Sequence, residues 1–196
     1  MAGDRVALTF DDGPDPRTTP RVLTVLDERG LRATFFVLGA AVARSGSLAA
    51  EVVAAGHELG VHGFRHEHHL LRGPGWVLED LRRAVGVVGE ATGQAPRWFR
   101  PPYGQLAAGS LRAARALGLE VVLWSVWGKE FADPELERIR RRLASGLRPG
   151  AVVLLHDSDL AAPAGTGART VALLPGLAED LAVRGLRAER LDRVAA

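Results

Sequence analysis

In "LTFDDGPDP" (8–16) an apolar run ends in two adjacent carboxylates, Asp11 and Asp12, and is broken at once by Gly13 and Pro14. One Asp at such a turn is explained by its side chain bonding nearby backbone N–H groups. A second, repelled by the first, needs a cation or a proton to act on. In "VHGFRHEHH" (61–69) His62 and His66 lie four apart, so both imidazoles reach one ion from a helical turn or a compact loop. With one aspartate they form a His2Asp set, the three ligands and open position of a catalytic zinc site. The other aspartate, close to the open position, takes a proton from the attacking water. Spacing alone does not choose between the two aspartates. His68 and His69 follow in a polar stretch and read as solvent-facing.

Other chemistries fall away on composition. The 196 residues contain no cysteine, which removes disulfides, thiolate ligands and cysteine nucleophiles. Twenty-five basic residues against 23 acidic leave a formal charge of +2, and Lys129 is the single lysine. That balance does not suggest a nucleic-acid partner, and "ERIRRR" (137–142) and "RGLRAERLDR" (184–193) read as solvated faces. No apolar run approaches the roughly 18 residues that suggest a membrane span. The N-terminal "MAGDRVALTF" reaches Asp11 before a secretory h-region can fit, so no export signal is expected within these residues.

The elements that must position these residues alternate from end to end, as in βα units around a mostly parallel sheet. Strands are predicted at 5–10, 33–39, 57–62, 97–100, 119–126, 151–156 and 186–191, with helices between them. The segment 18–30 has Thr18 as an expected N-cap, Pro20 in the first turn and Gly30 as a stop. "APAGTGA" (162–168) lacks the Lys-Ser/Thr of a phosphate loop and reads as a surface connection. Length and pattern predict one domain over 1–196. Polar residues collect at the C-terminal strand ends: Asp11 and Asp12, His62, Arg100, Glu130, then His156 and Asp157. In a parallel αβ barrel those ends share the face where active sites are built.

Five motifs in order resemble the polysaccharide deacetylases of carbohydrate esterase family 4, the nodulation-type chitooligosaccharide deacetylase homology domain: "TFDDGP" (9–14), "HGFRH" (62–66), "RPPYG" (100–104), "WSVWGKEF" (124–131) and "LLH" (154–156). The resemblance spans nearly the whole chain and implies a distorted, TIM-like (β/α)7 barrel that hydrolyses N-acetyl or O-acetyl groups on sugars. It implies that Asp11 is the general base, and that Asp12, His62 and His66 hold the metal. Arg100 resembles the arginine that pairs with the base, Tyr103 the residue whose backbone N–H stabilises the oxyanion, and His156 the acid that protonates the leaving amine. Leu154 and Phe131 correspond to the pocket for the acetyl methyl. Zinc suits two histidines and a carboxylate best, and nickel or cobalt tolerate the same ligands. The implied partner is a poly- or oligosaccharide such as chitooligosaccharide or peptidoglycan, in a family that often acts in the cell envelope or outside the cell.

The chain departs from the family pattern in two places. Gly63 replaces the usual Ser/Thr between the histidines, removing a hydroxyl but leaving both ligands, so metal binding is expected to survive. In the fourth motif Trp127 stands where Asp is common, Glu130 where Asp usually tunes the acid histidine, and Phe131 where Trp usually lines the pocket. These changes bear on substrate preference more than on activity. Competing readings are a deacylase or deformylase of a lipid-linked or small amino sugar, and a non-catalytic carbohydrate-binding member of the family.

Overall fold

The computed structural model describes residues 3–195. Its first strand, β1 (Arg5–Asp11), is buried at six of its seven positions, as expected for a parallel strand covered on both faces. The remaining strands are β2 (Thr34–Val37), β3 (Glu58–Val61), β4 (Trp98–Phe99), β5 (Glu120–Val121), β6 (Val126–Trp127), β7 (Val152–His156) and β8 (Arg187–Glu189). The helices are α1 (Thr19–Glu28), α2 (Gly39–Arg44), α3 (Leu48–Ala54), α4 (Pro74–Thr92), α5 (Ala108–Ala116), α6 (Leu136–Gly146), α7 (Thr166–Val183) and α8 (Leu191–Val194). All pairings are parallel, in the order β5-β4-β3-β2-β1-β7-β6. β8 pairs with the start of β1 on the side opposite β7.

The single strand predicted at 119–126 is divided in two. β5 pairs with β4, and β6 with β7, so this one segment joins the two ends of the curled sheet. The break at 122–125 is stabilised by Arg100, which donates from Nε to the Val122 carbonyl at 3.3 Å and from Nη2 to the Leu123 carbonyl at 3.2 Å. A side chain thus replaces the ladder where the barrel is distorted, and the architecture is the curled (β/α)7 half-barrel that the motifs predict.

Alternation along β1 divides the interior. Val6, Leu8 and Phe10 join the large cluster beneath the helices, with Phe10 stacked on Phe35 at 4.8 Å. Ala7 instead packs with Phe36 and Trp98 and with Leu191 and Val194 of α8. One step further along the same face come Thr9 and then Asp11, so apolar packing fills the N-terminal end of the strand and polar chemistry occupies its C-terminal end. Thr18 does precede α1, but its hydroxyl makes no cap. It donates to the Asp157 carbonyl, a tertiary bond that a local capping pattern does not reveal.

Candidate active site

The turn after β1 delivers both aspartates to the C-terminal face. Asp11 continues the ladder, paired with Phe36 on one side and His156 on the other. Asp12 leaves it with φ 77°, a left-handed conformation in a non-glycine residue, ahead of a cis Gly13–Pro14 bond. The two side chains therefore point to different partners. Arg100 Nη1 donates to Asp11 Oδ1 at 2.7 Å and to Thr9 Oγ1 at 2.8 Å. Asp12 Oδ1 is buried without a hydrogen-bond partner, 3.6 Å from His62 Nε2 and 3.4 Å from His66 Nε2.

Those three residues fit a cation. Their ligand atoms lie within 4.8 Å of one another. His62 Nδ1 lies 2.8 Å from the Arg100 carbonyl, which only accepts, so Nδ1 carries the proton and Nε2 presents a lone pair. Burial, helped by His62, lowers the His66 pKa to about 3, which keeps that ring neutral as a ligand must be. Burial likewise raises the Asp12 carboxyl, against the opposing field of His62. An unpaired buried carboxylate oxygen between two imidazole nitrogens is a costly arrangement that a bound cation relieves.

The loop bearing the histidines depends on a residue that sequence reasoning missed. Gly63 adopts φ +90°, and a Cβ there would lie 3.0 Å from both the Arg65 carbonyl and Asp80 Oδ2. The buried Asp80 carboxylate of α4 accepts the N–H groups of Phe64 at 2.8 Å and Arg65 at 3.2 Å. Asp80 therefore orients the loop that lacks the family hydroxyl. His69 is not solvent-facing: it is buried, with Nδ1 3.1 Å from Ser110 Oγ and its ring stacked on Phe99. His68 lies parallel to the Tyr103 ring at 3.6 Å. The His69 reading is corrected by Phe99 and Ser110 closing over its ring, contacts too distant in sequence to read locally, while His68 stays part-exposed.

On the opposite wall, Glu130 Oε1 accepts both the His156 backbone N–H and the ring Nδ1–H at 2.8 Å. Burial works to lower the His156 pKa, but the hydrogen bond and charge of Glu130, with Asp12 and Asp11, raise it to about 9. The extra methylene of Glu is accommodated, and the side chain is fully buried. Its loop is held by Arg142, which donates to the Gly128 carbonyl, and by Arg169, which donates to the Glu130 carbonyl at 2.6 Å. Tyr103 sits at φ 60°, and the turn's own hydrogen bonds start from Gly104 and Gln105 rather than from the Tyr103 N–H.

A pocket of about 220 Å³ collects these groups. Asp11, Asp12, His62, His66, Tyr103 and His156 line it together with Trp127, Phe131 and Leu154. Every side chain expected in the site from the sequence meets there except Arg100 and Glu130, which stand behind Asp11 and His156. Trp124 and the stretch Ala161–Pro163 also line it. The small-residue segment 162–168 is therefore part of the pocket wall at its start, not only a surface connection, a role its sequence does not show because it carries no polar signature.

Residues 1–122 match the family model described as polysaccharide deacetylase. The chain belongs to that family. It is 41% identical over 159 residues to a chitooligosaccharide deacetylase of a Bradyrhizobium species, covering 80% of this chain and 73% of that one. A peptidoglycan-N-acetylglucosamine deacetylase of Bacillus cereus is 33% identical over 185 residues, 93% of this chain and 84% of its own length. A family 4 carbohydrate esterase from Streptomyces lividans, solved with acetate, superposes with a TM-score of 0.86 at 32% identity, covering 96% of this chain and 93% of that one. Like its relatives, this member of carbohydrate esterase family 4 is a carbohydrate deacetylase. Among its described residues no helix is long and apolar enough to cross a membrane.

Proposed function

We propose that residues 1–196 form one catalytic domain that removes N-acetyl groups from a glycan containing N-acetylglucosamine, using a zinc ion held by Asp12, His62 and His66. The observation that carries this reading is the division of labour between the adjacent aspartates: Arg100 engages Asp11, while Asp12 Oδ1 is unpaired beside two imidazole nitrogens. Bound there, zinc supplies Lewis-acid polarisation and lowers the pKa of water towards about 7, and nickel or cobalt accept the same ligands.

The chain's own residues move the protons. Asp11, paired with Arg100 at 2.7 Å, accepts a proton from the water that attacks the acetyl carbonyl carbon. The Tyr103 N–H donates to the oxyanion that develops. His156, protonated at neutral pH through Glu130, gives its proton to the sugar nitrogen as the C–N bond breaks, and acetate and a free amine leave. Leu154, Phe131 and Trp127 enclose the acetyl methyl in apolar surroundings. An acid histidine raised to about 9 favours an amide over an ester, because an amine leaves only when protonated.

Acetate release from N-acetylated chitooligosaccharide, peptidoglycan and acetylated xylan, with and without chelator, tests this. Release from the first two that chelation abolishes and zinc restores is expected. Release from xylan alone makes the protein an O-acetyl esterase, no release from any substrate supports the carbohydrate-binding reading, and chelator-resistant release overturns the metal.

A further inference from the structure

One fully buried carboxyl has no part in these steps. Asp157 follows His156 at the end of β7 with 1% of its surface exposed. Its Oδ2 accepts from the Thr19 hydroxyl, which in turn accepts the Asp15 N–H at 2.8 Å. The same carboxyl lies against Gly13: a Cβ at that glycine would stand 2.3 Å from Oδ2 and 2.6 Å from Oδ1. Gly13 is not among the residues with positive φ, so its lack of a side chain is demanded by this approach and not by backbone conformation. From the other side, the Leu38 N–H, beyond the end of β2, bonds the Gly13 carbonyl at 2.9 Å. Asp12 sits within this grip at φ 77°. A non-glycine residue in that region is strained and persists only where its surroundings over-determine it.

We propose that Asp157 is a positioning residue: by filling the space of a Gly13 side chain it fixes the turn that aims Asp12 Oδ1 at His62 and His66, so that the strand end bearing the acid also sets the cation site. The inference rests on Asp12 as a ligand. Burial pushes the Asp157 carboxyl up to about 7, so shape and hydrogen bonding matter more here than a fixed charge, and asparagine can stand in for it.

Zinc titration of the metal-stripped protein against a chromophoric chelator, with melting curves of the same samples, tests the latch. Asp157→Ala is expected to weaken zinc binding roughly ten- to hundred-fold, the usual effect of removing a partner that orients a metal ligand, and Asp157→Asn to stay within about threefold. Gly13→Ala is expected to weaken zinc as well. The double variant Gly13→Ala/Asp157→Ala is expected to bind better than the sum of the single losses predicts, since the clash has gone. A merely structural residue would lower the melting temperature and leave the zinc affinity of folded protein unchanged, and that result overturns the proposal, as does strict additivity. If Asp157→Ala does not fold, Thr19→Val decides: weakened zinc binding is expected, and parental affinity overturns the latch. A parent protein that binds no zinc would overturn the ligand assignment itself, a distinct outcome from a parent that binds zinc no better than its Asp157→Ala variant.

Discussion

Arg100 meets Asp11 at 2.7 Å inside the barrel, where the arginine is fully buried and the aspartate nearly so. The same guanidinium holds the Val122 and Leu123 carbonyls and lies 4.1 Å from the centre of the Phe36 ring. One side chain therefore orients the proposed base and bridges the gap where the ladder fails.

Breaking a buried pair by deleting one partner costs about 3–5 kcal/mol, because the remaining charge is left uncompensated. Arg100→Met should lower the urea midpoint accordingly and abolish turnover. Arg100→Lys should recover little, since one ammonium cannot reach Asp11, Thr9 and two carbonyls together. A lysine variant with parental stability and rate would show that charge alone suffices.

The adjacent aspartates should separate cleanly by metal content. Asp11→Asn is expected to retain zinc and lose at least about a hundredfold in rate, within the usual contribution of a general base. Asp12→Ala, His62→Ala and His66→Ala should each lose metal by elemental analysis. Loss of metal from Asp11→Asn with retention in Asp12→Ala would exchange the two roles.

What could be read from the chain follows from how locally each feature is encoded. The strand ends carrying Asp11, His62, Arg100 and His156 were legible because each lies within a short run whose residue types declare both strand and chemistry. The break at 122–125 was not, because "LEVVLWSV" is mostly apolar with no Gly or Pro to mark a break, and only the strand pairings reveal that its two halves serve different neighbours. Asp80 was equally silent, and Asp157 was marked only by its place at a strand end. An isolated Asp in a helix or after a strand has no distinctive spacing, and the roles of both arise from groups 15 or more residues away in sequence, backbone N–H groups for Asp80 and the Thr19 hydroxyl and Gly13 for Asp157. His69 was misread for the same reason, its partner Ser110 being 41 positions on.

Two buried histidines should make the fold sensitive to acid. Burial lowers both His57 and His69 to about 4, and His57 Nδ1 accepts the Ala33 N–H at 3.3 Å, which requires the neutral ring. Between about pH 4 and 6.5 the unfolded histidine binds a proton that the folded one refuses, so its contribution is complete above 6.5 and declines as pH falls. Asp157, raised to about 7, titrates with the opposite sign throughout that window, so the parent's stability alone does not isolate the effect. The stability difference between parent and His57→Gln does. It should shrink by roughly 1.5 kcal/mol from pH 6.5 to 5.0 in urea titrations, somewhat under the full one-proton linkage value because the unfolded histidine is only half protonated at 6.5. A difference independent of pH would mean that His57 is already charged in the fold.

The fourth motif gives the sharpest kinetic contrast, because Glu130 acts on His156 through a single oxygen. Removing that carboxylate should lower the pKa of His156 from about 9, since an adjacent opposite charge favours the imidazolium. The acid form then disappears at lower pH, and the alkaline limb of the rate profile in Glu130→Gln should move down with it. His156→Ala should cripple turnover on N-acetyl substrates and spare activated aryl acetates, whose leaving groups depart without a proton. Glutamine keeps the volume and an acceptor oxygen, so a shifted limb with an unchanged melting temperature assigns the effect to charge. Equal losses on amide and aryl ester in His156→Ala would make that histidine a binding or structural group, and an unmoved alkaline limb in Glu130→Gln would remove Glu130 from the acid step.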